Sequence, residues 1–290
     1  MQNIVNTIVL ASLYCLIGCG YVLIYRASRV LNLAHGELMT IGGYFLFTVA
    51  IGLFSKPIPS FLLACIFSLI LGFIIYIFLM RFMAGESVFA AVLVTVALGI
   101  LLRGLITLVW TSQLWHPLQH LGMENASHRL INEAMISTFG IVKVLGAAFL
   151  YLSLLFCLKF TRWGLRMRAV GENPLLASRR GIKLHKYYAF SWGIAAFSGG
   201  FAGMIQACDS GLEPGMFVIG LKAFPVVLVG GLDSLGGVIP GAFIVALAEI
   251  LAINYISPQA SESAPFAILL AALLIRPWGL FGTKEELERV

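Results

Sequence analysis

Charge is scarce in this chain. Asp, Glu, Lys and Arg make up 11% of its 290 residues, against about 25% in an ordinary soluble domain. Several signs of chemistry are missing as well. The phosphate loop GxxxxGK followed by Ser or Thr does not occur, so ATP hydrolysis by this chain is not expected. There is no CxxC, and Cys15, Cys19, Cys65, Cys157 and Cys208 read as buried free thiols. His35-Gly36-Glu37 lacks the second histidine four residues on that a zinc protease helix carries. No nucleophile, base and acid fall into a set, and mid-membrane carboxylates are too sparse for a proton relay. No catalytic residue, metal site or cofactor is therefore expected. No basic patch with interleaved aromatics marks a nucleic-acid surface, and no internal repeat or low-complexity segment stands out. Residues 1–10 lack the positively charged start of a cleavable signal peptide, so the first apolar stretch is expected to be a membrane span.

What remains is apolar: 60% of the residues, in long runs. About 20 such residues cross the roughly 30 Å hydrocarbon core as a helix. The fold class is an all-α polytopic transmembrane bundle, residues 1–290 forming one transmembrane domain embedded in lipid. Strands are not expected, because an open edge in lipid leaves backbone groups unpaired. Hydropathy places spans at 4–25, 37–53, 60–81, 88–110, 139–158, 188–207, 217–231, 238–256 and 264–280, about eight or nine in all. Residues 217–231 are short and precede the glycine-rich GGLDSLGG, so a re-entrant hairpin is the alternative to a crossing there.

The one long polar block is residues 164–188, GLRMRAVGENPLLASRRGIKLHKYY. It reads as a short helix with both ends marked. Asn173 caps the first turn, Pro174 suits the first helical position, and Gly181 suits a left-handed stop. A helix this short is unstable alone, so it needs something to dock on. That points to a coupling element, loop 162–187, through which a soluble partner moves the membrane part.

Lys and Arg set the orientation. With the block in the cytoplasm, the cytoplasmic ends hold Arg26, Arg29, Arg81, the eight residues Lys159, Arg162, Arg166, Arg168, Arg179, Arg180, Lys183 and Lys186, and Arg276, Lys284 and Arg289, which is 14 of 19. Lys56, Arg129, Lys143 and Lys222 fall on the exterior. The N-terminus is then outside and the C-terminus inside. The longest exterior segment, 111–138, has room for a binding surface but not a domain, with Trp110 and Trp115 as interface anchors.

Two intramembrane features are candidate sites. Asn32, His35, Gly36, Met39 and Gly43 share one small, polar helix face, either a translocation path or a close helix contact. Arg103 lies well inside a span, where arginine costs about 2.5–3.5 kcal/mol on insertion scales. Glu249 lies at a similar depth, about 10 Å in at 1.5 Å per residue. The two are a candidate ion pair, or two separate groups, with Glu249 a further candidate for the path.

Three segments resemble the permease subunits of bacterial branched-chain amino acid ABC importers, the LivH type. They are GYVLIYRASRVLNLAHGELMTIGGY at 20–44, RAVGENPLLASRRGI at 168–182 with FSGGFAGM after it, and LKAFPVVLVGGLDSLGGVIPGAF at 221–243 with the ending LLIRPWGLFG. The resemblance runs in order over nearly the whole chain. Ala177 and Gly181-Ile182 match the family's cytoplasmic A-x-x-x-G-I loop, which implies that Glu172, Asn173, Pro174, Ala177, Gly181 and Ile182 meet an ATPase. Two stretches depart from the pattern: Glu172-Asn173-Pro174, and the histidine-dotted exterior stretch 116–128. The resemblance implies an inner-membrane importer with a second, LivM-type permease subunit, two cytoplasmic ABC ATPase subunits and a periplasmic binding protein. It implies branched-chain amino acids as cargo, with urea, short amides or aromatic acids as alternatives. A secondary transporter or channel is the competing class, and a membrane enzyme using His35 and Glu37 a third.

Overall fold

A computed structural model describes residues 1–53, 56–129 and 133–283. The protein is almost entirely helical. Its elements are α1 (Gln2–Ser28), α2 (His35–Gly52), α3 (Pro57–Phe78), a 3-10 turn at Met80–Met83 and α4 (Val88–Trp110). The short α5 (Pro117–His120) and the strands β1 (Ser127–Arg129) and β2 (Met135–Ser137) follow. Then come α6 (Thr138–Phe160), α7 (Arg162–Glu172), α8 (Pro174–Arg179), α9 (Leu184–Ser210), a 3-10 turn at Pro214–Met216, α10 (Phe217–Gly230), α11 (Leu235–Tyr255) and α12 (Ala260–Ile275). Among the described residues, five helices, α1, α3, α4, α6 and α11, are long and apolar enough to cross a membrane by length and composition.

The expected spans fall on α1, α2, α3, α4, α6, α9, α10, α11 and α12, with most ends moved by a few residues. The strands are a correction. β1 and β2 pair antiparallel, Ser127 opposite Ser137 and Arg129 opposite Met135, in the expected exterior segment. Unpaired backbone at a sheet edge is costly in lipid, but a loop between spans can leave its edges to water.

The core is built around α1, α2 and α9, which pack on one another and on α3, α10 and α11. α2 is buried almost all round, as expected of a helix apolar on every side. α3, α4 and α6 bury one narrow stripe each. Their other faces carry bare apolar side chains, such as Phe78, Phe89, Leu108 and Phe149, each more than two-thirds exposed. Such apolar area outside a core needs lipid or partner helices to cover it.

Close approach in the core depends on small residues. At Gly42 and Gly200, α2 and α9 touch backbone to backbone, and an added Cβ on Gly42 would overlap Gly200 Cα. One turn on, a Cβ on Gly203 would overlap the Met39 carbonyl oxygen. The bundle also has two distinguishable ends. α7, α8 and the turn around Asp233 and Ser234 lie at one end, where Arg26, Arg168 and Asp233 border one cavity. At the other, Trp115 N donates to Leu212 O (2.9 Å) and Leu212 N donates to Trp115 O (2.8 Å), tying the loop at Trp115 to the end of α9.

Candidate functional site

His35, Gly36, Met39 and Gly43 lie on α2, whereas Asn32 lies in the loop before it and not on the helix as expected, and the whole set is closed. Asn32, His35 and Met39 are at most 1% exposed, and Gly36 and Gly43 are buried. Gly36 abuts the Phe217 carbonyl and Gly220 of α10, while Gly43 faces Leu212, Ala207 and Gly203. His35 Nε2 lies 3.1 Å from the Ile17 carbonyl of α1, and its ring packs on Tyr21 at 4.5 Å between centroids. Asn32 Oδ1 accepts from Ala34 N (3.1 Å), closing the turn into α2. In this structure the face is a seam between α2 and its neighbours. Two polar atoms in it, His35 Nδ1 and Asn32 Nδ2, are buried without a hydrogen-bond partner among the described residues. His35 and Glu37 do not share a site, since Glu37 bonds to Arg103 instead.

The charges inside the helices are paired, but not as depth alone suggested. Arg103 does not meet Glu249. Its Nη2 donates to Glu37 Oε1 at 2.5 Å, and its guanidinium lies 3.5 Å over the Phe217 ring centroid. Glu249 takes Lys222, Nζ to Oε1 at 2.6 Å, and accepts from the Tyr14 hydroxyl. The reason is lateral position. α4 packs on α2, whereas α11 packs on α1, α10 and α12, so equal depth does not make Arg103 and Glu249 neighbours. Gly99, one turn before Arg103, leaves room for the incoming carboxylate: a Cβ there would be 3.2 Å from Glu37 Oε2. A third pair joins Lys143 of α6 to Asp209 of α9, and Asp209 also accepts from Asn125 Nδ2 (2.9 Å) and Ser137 Oγ (3.2 Å). Lys143 and Lys222 are thus buried partners of carboxylates and not free exterior charges. Unpaired, such charges would be costly there.

The short helix in the polar block folds as its sequence says, and a second helix, α7, precedes it where none was expected. Asn173 Oδ1 accepts from Leu176 N (3.0 Å), Pro174 opens α8, and Gly181 has φ +80°. Ile182 N donates back to Ala177 O (3.1 Å) and Gly181 N to Ser178 O (2.9 Å), satisfying the last carbonyls. α7 fixes this short helix in place. Met167 and Val170 are fully buried, Gly171 lies against the Arg26 carbonyl, and Arg29 Nε donates to Gly171 O at 3.2 Å.

Glu172, Asn173, Pro174 and Gly181 are exposed and Ile182 is half-buried. Ala177 is not outward: it is 4% exposed and faces its own chain. The outward apolar residues are Leu175 and Leu176, 62% and 56% exposed. Beside them runs a groove bordered by Ser178, Met80 and Met83. Among the described residues no group of three His, Cys, Asp or Glu could hold a metal ion.

Residues 3–275 match the family model described as branched-chain amino acid transport system / permease component. The chain belongs to this permease family. It is 28% identical to the high-affinity branched-chain amino acid transport system permease protein LivH of Escherichia coli K12, over 100% of this chain and 97% of that one. It is 26% identical to the corresponding permease protein BraD of Pseudomonas aeruginosa, over 100% and 98%. A probable branched-chain amino acid transport permease protein LivH of Methanocaldococcus jannaschii matches at 26%, over 98% and 94%. Among solved structures, PsaBC from Streptococcus pneumoniae in complex with Fab aligns at a TM-score of 0.49 and 15% identity, covering 96% of this chain and 93% of that one.

Reading the sequence alone missed the permease's Lys143, Asp209, Lys222 and Tyr14, and considered Glu37 only beside His35. A usable signal was present. Lys143 and Lys222 each lie about a turn and a half inside an apolar run, and Glu249 lies inside another. Buried charges at such positions need opposite partners.

Proposed function

We propose that this permease is the membrane-spanning subunit of an ATP-driven importer in the bacterial inner membrane. It carries branched-chain amino acids handed over by a periplasmic binding protein. A second, LivM-type permease subunit completes the path, and two ABC ATPase subunits drive it. Residues 1–290 act as one domain, and this chain needs no cofactor of its own. The orientation is N-terminus outside and C-terminus inside. α10 with its 3-10 lead reaches from the Trp115 end of the bundle to the Arg26 end, which supports a short full crossing over a re-entrant hairpin.

The observation that carries the importer reading is α8. It is a capped six-residue helix, too short to hold together alone, pinned by α7 and presenting Leu175 and Leu176 to the outside. A secondary transporter or channel needs no ATPase docked on such a surface. Leu175→Asp with Leu176→Asp should therefore abolish co-purification of the ATPase subunits while the permease stays folded, because neither side chain packs into its own core. Undiminished co-purification would remove α8 as the docking point. Gly181→Val should weaken docking through the backbone alone. A Cβ at Gly181 meets nothing within 4 Å, but φ +80° disfavours valine.

Orientation has its own test. A cysteine placed at Ser178 should react with a membrane-impermeant thiol reagent only from the cytoplasmic side, and one at Ser127 only from outside. Both residues are exposed. Reaction of both from one side would refute the topology.

A further inference from the structure

A cavity of about 580 Å³ opens among α1, α6, α9, α10 and α11, at the end of the bundle away from α7 and α8. Two ion pairs line it, Lys143 with Asp209 and Lys222 with Glu249. Tyr14, which donates to Glu249, also borders it. So does Gln206, whose Oε1 is buried with no hydrogen-bond partner among the described residues while its amide donates to Ser210. The rest of the wall is mostly apolar, with Val9, Ile219, Ile250 and Ile253 among its aliphatic side chains, and Asn6 and Ser137 are its further polar residues. The volume falls within the roughly 300–1,000 Å³ usual for small-molecule sites.

We infer that this cavity is a binding site within the permease for a zwitterionic amino acid with an aliphatic side chain. The inference rests on the importer reading above and adds a place where cargo pauses in this chain. Its chemistry follows from charge. The four ionised groups sum to zero, so a solute bearing one positive and one negative charge enters without changing the net charge of a poorly solvated space. A solute with a single charge leaves an excess there, which is costly. An α-carboxylate can be shared by Lys143 and Lys222, and an α-ammonium by Asp209, Glu249 and the free Gln206 Oε1. Each arrangement exchanges one ion pair for another with no charge stranded. The aliphatic wall then receives the side chain. Two ion pairs serving only to tie helices together would not require a cavity of this size bordered by both of them.

The test is direct binding to the permease in its native complex, purified from membranes without the binding protein. The probes are L-leucine, its amine analogue 3-methylbutylamine and its acid analogue 4-methylpentanoate. Saturable leucine binding is expected, with each singly charged analogue at least about tenfold weaker. Lys222→Met/Glu249→Gln, which strands no charge, should weaken leucine binding by about tenfold or more. Gln206→Ala should weaken it severalfold with unchanged thermal stability, so the result does not depend on the double variant folding. No leucine binding, equal binding of the analogues, or leucine binding untouched by both variants overturns the site. ATP-driven uptake by the same complex, supplied with binding protein, reports the importer reading separately. Uptake that persists without such binding removes the site alone, whereas absence of branched-chain amino acid uptake removes the importer reading.

Discussion

Replacing Lys222 with Met is expected to cost the folded permease about 3–5 kcal/mol, the usual loss when one partner of a buried pair is removed. The Glu249 side chain is 8% exposed. Without the ammonium its charge is left with the Tyr14 hydroxyl, which can donate a hydrogen bond but cannot neutralise it. The pair also ties α10 to α11, and Tyr14 adds α1, so the loss falls where three helices meet. Glu249→Gln in the same chain should recover most of the stability, because no ion then remains to be stranded. Thermal unfolding of the purified single and double variants in detergent decides it. A double variant as unstable as Lys222→Met would mean that the loss comes from packing around the lysine stem and not from charge.

The second large effect is expected at the α2–α9 crossing. Gly42→Val places a side chain where Gly200 Cα already lies. No rotamer relieves an overlap of backbone with Cβ, so the helices must separate. Overpacking typically costs about 1–3 kcal/mol, and this site should reach the top of that range or exceed it, leaving little folded permease in the membrane. Gly104→Val is the matched control. It lies on the exposed face of α4, where an added Cβ meets nothing within 4 Å, and its expression level should match the parent. Equal yields of both variants would show that the crossing is looser than the structure has it.

Much of this architecture can be read from the residues, and the parts that cannot share one cause. The ends of α8 are local: Asn173, Pro174 and Gly181 dictate a cap, a first turn and a stop through their own backbone chemistry, and the helix lies between them. Spans are legible for a similar reason, since an apolar run declares its own length. The small face of α2 was also visible, though one sequence does not separate a path from a seam. Partner choice was not legible. Depth along a helix follows from rise per residue, and it placed Arg103 level with Glu249. Which helix lies beside which is set by the packing of distant segments, and that put Glu37 beside Arg103 and Lys222 beside Glu249. The inward turn of Ala177 has the same origin. A six-residue helix lying on α7 and α9 buries one position, and the smallest side chain occupies it.

In the proposed importer, force enters this permease from a cytoplasmic ATPase through α8. The most direct test is uptake of labelled leucine into proteoliposomes holding the complete complex, with the binding protein outside and ATP inside. Parent permease is compared with Leu175→Asp/Leu176→Asp at equal amounts of folded protein. Uptake is expected to require both ATP and the ATPase subunits, and to be lost in the double variant. Uptake that continues without ATP, or that is undiminished in the double variant, would contradict this coupling.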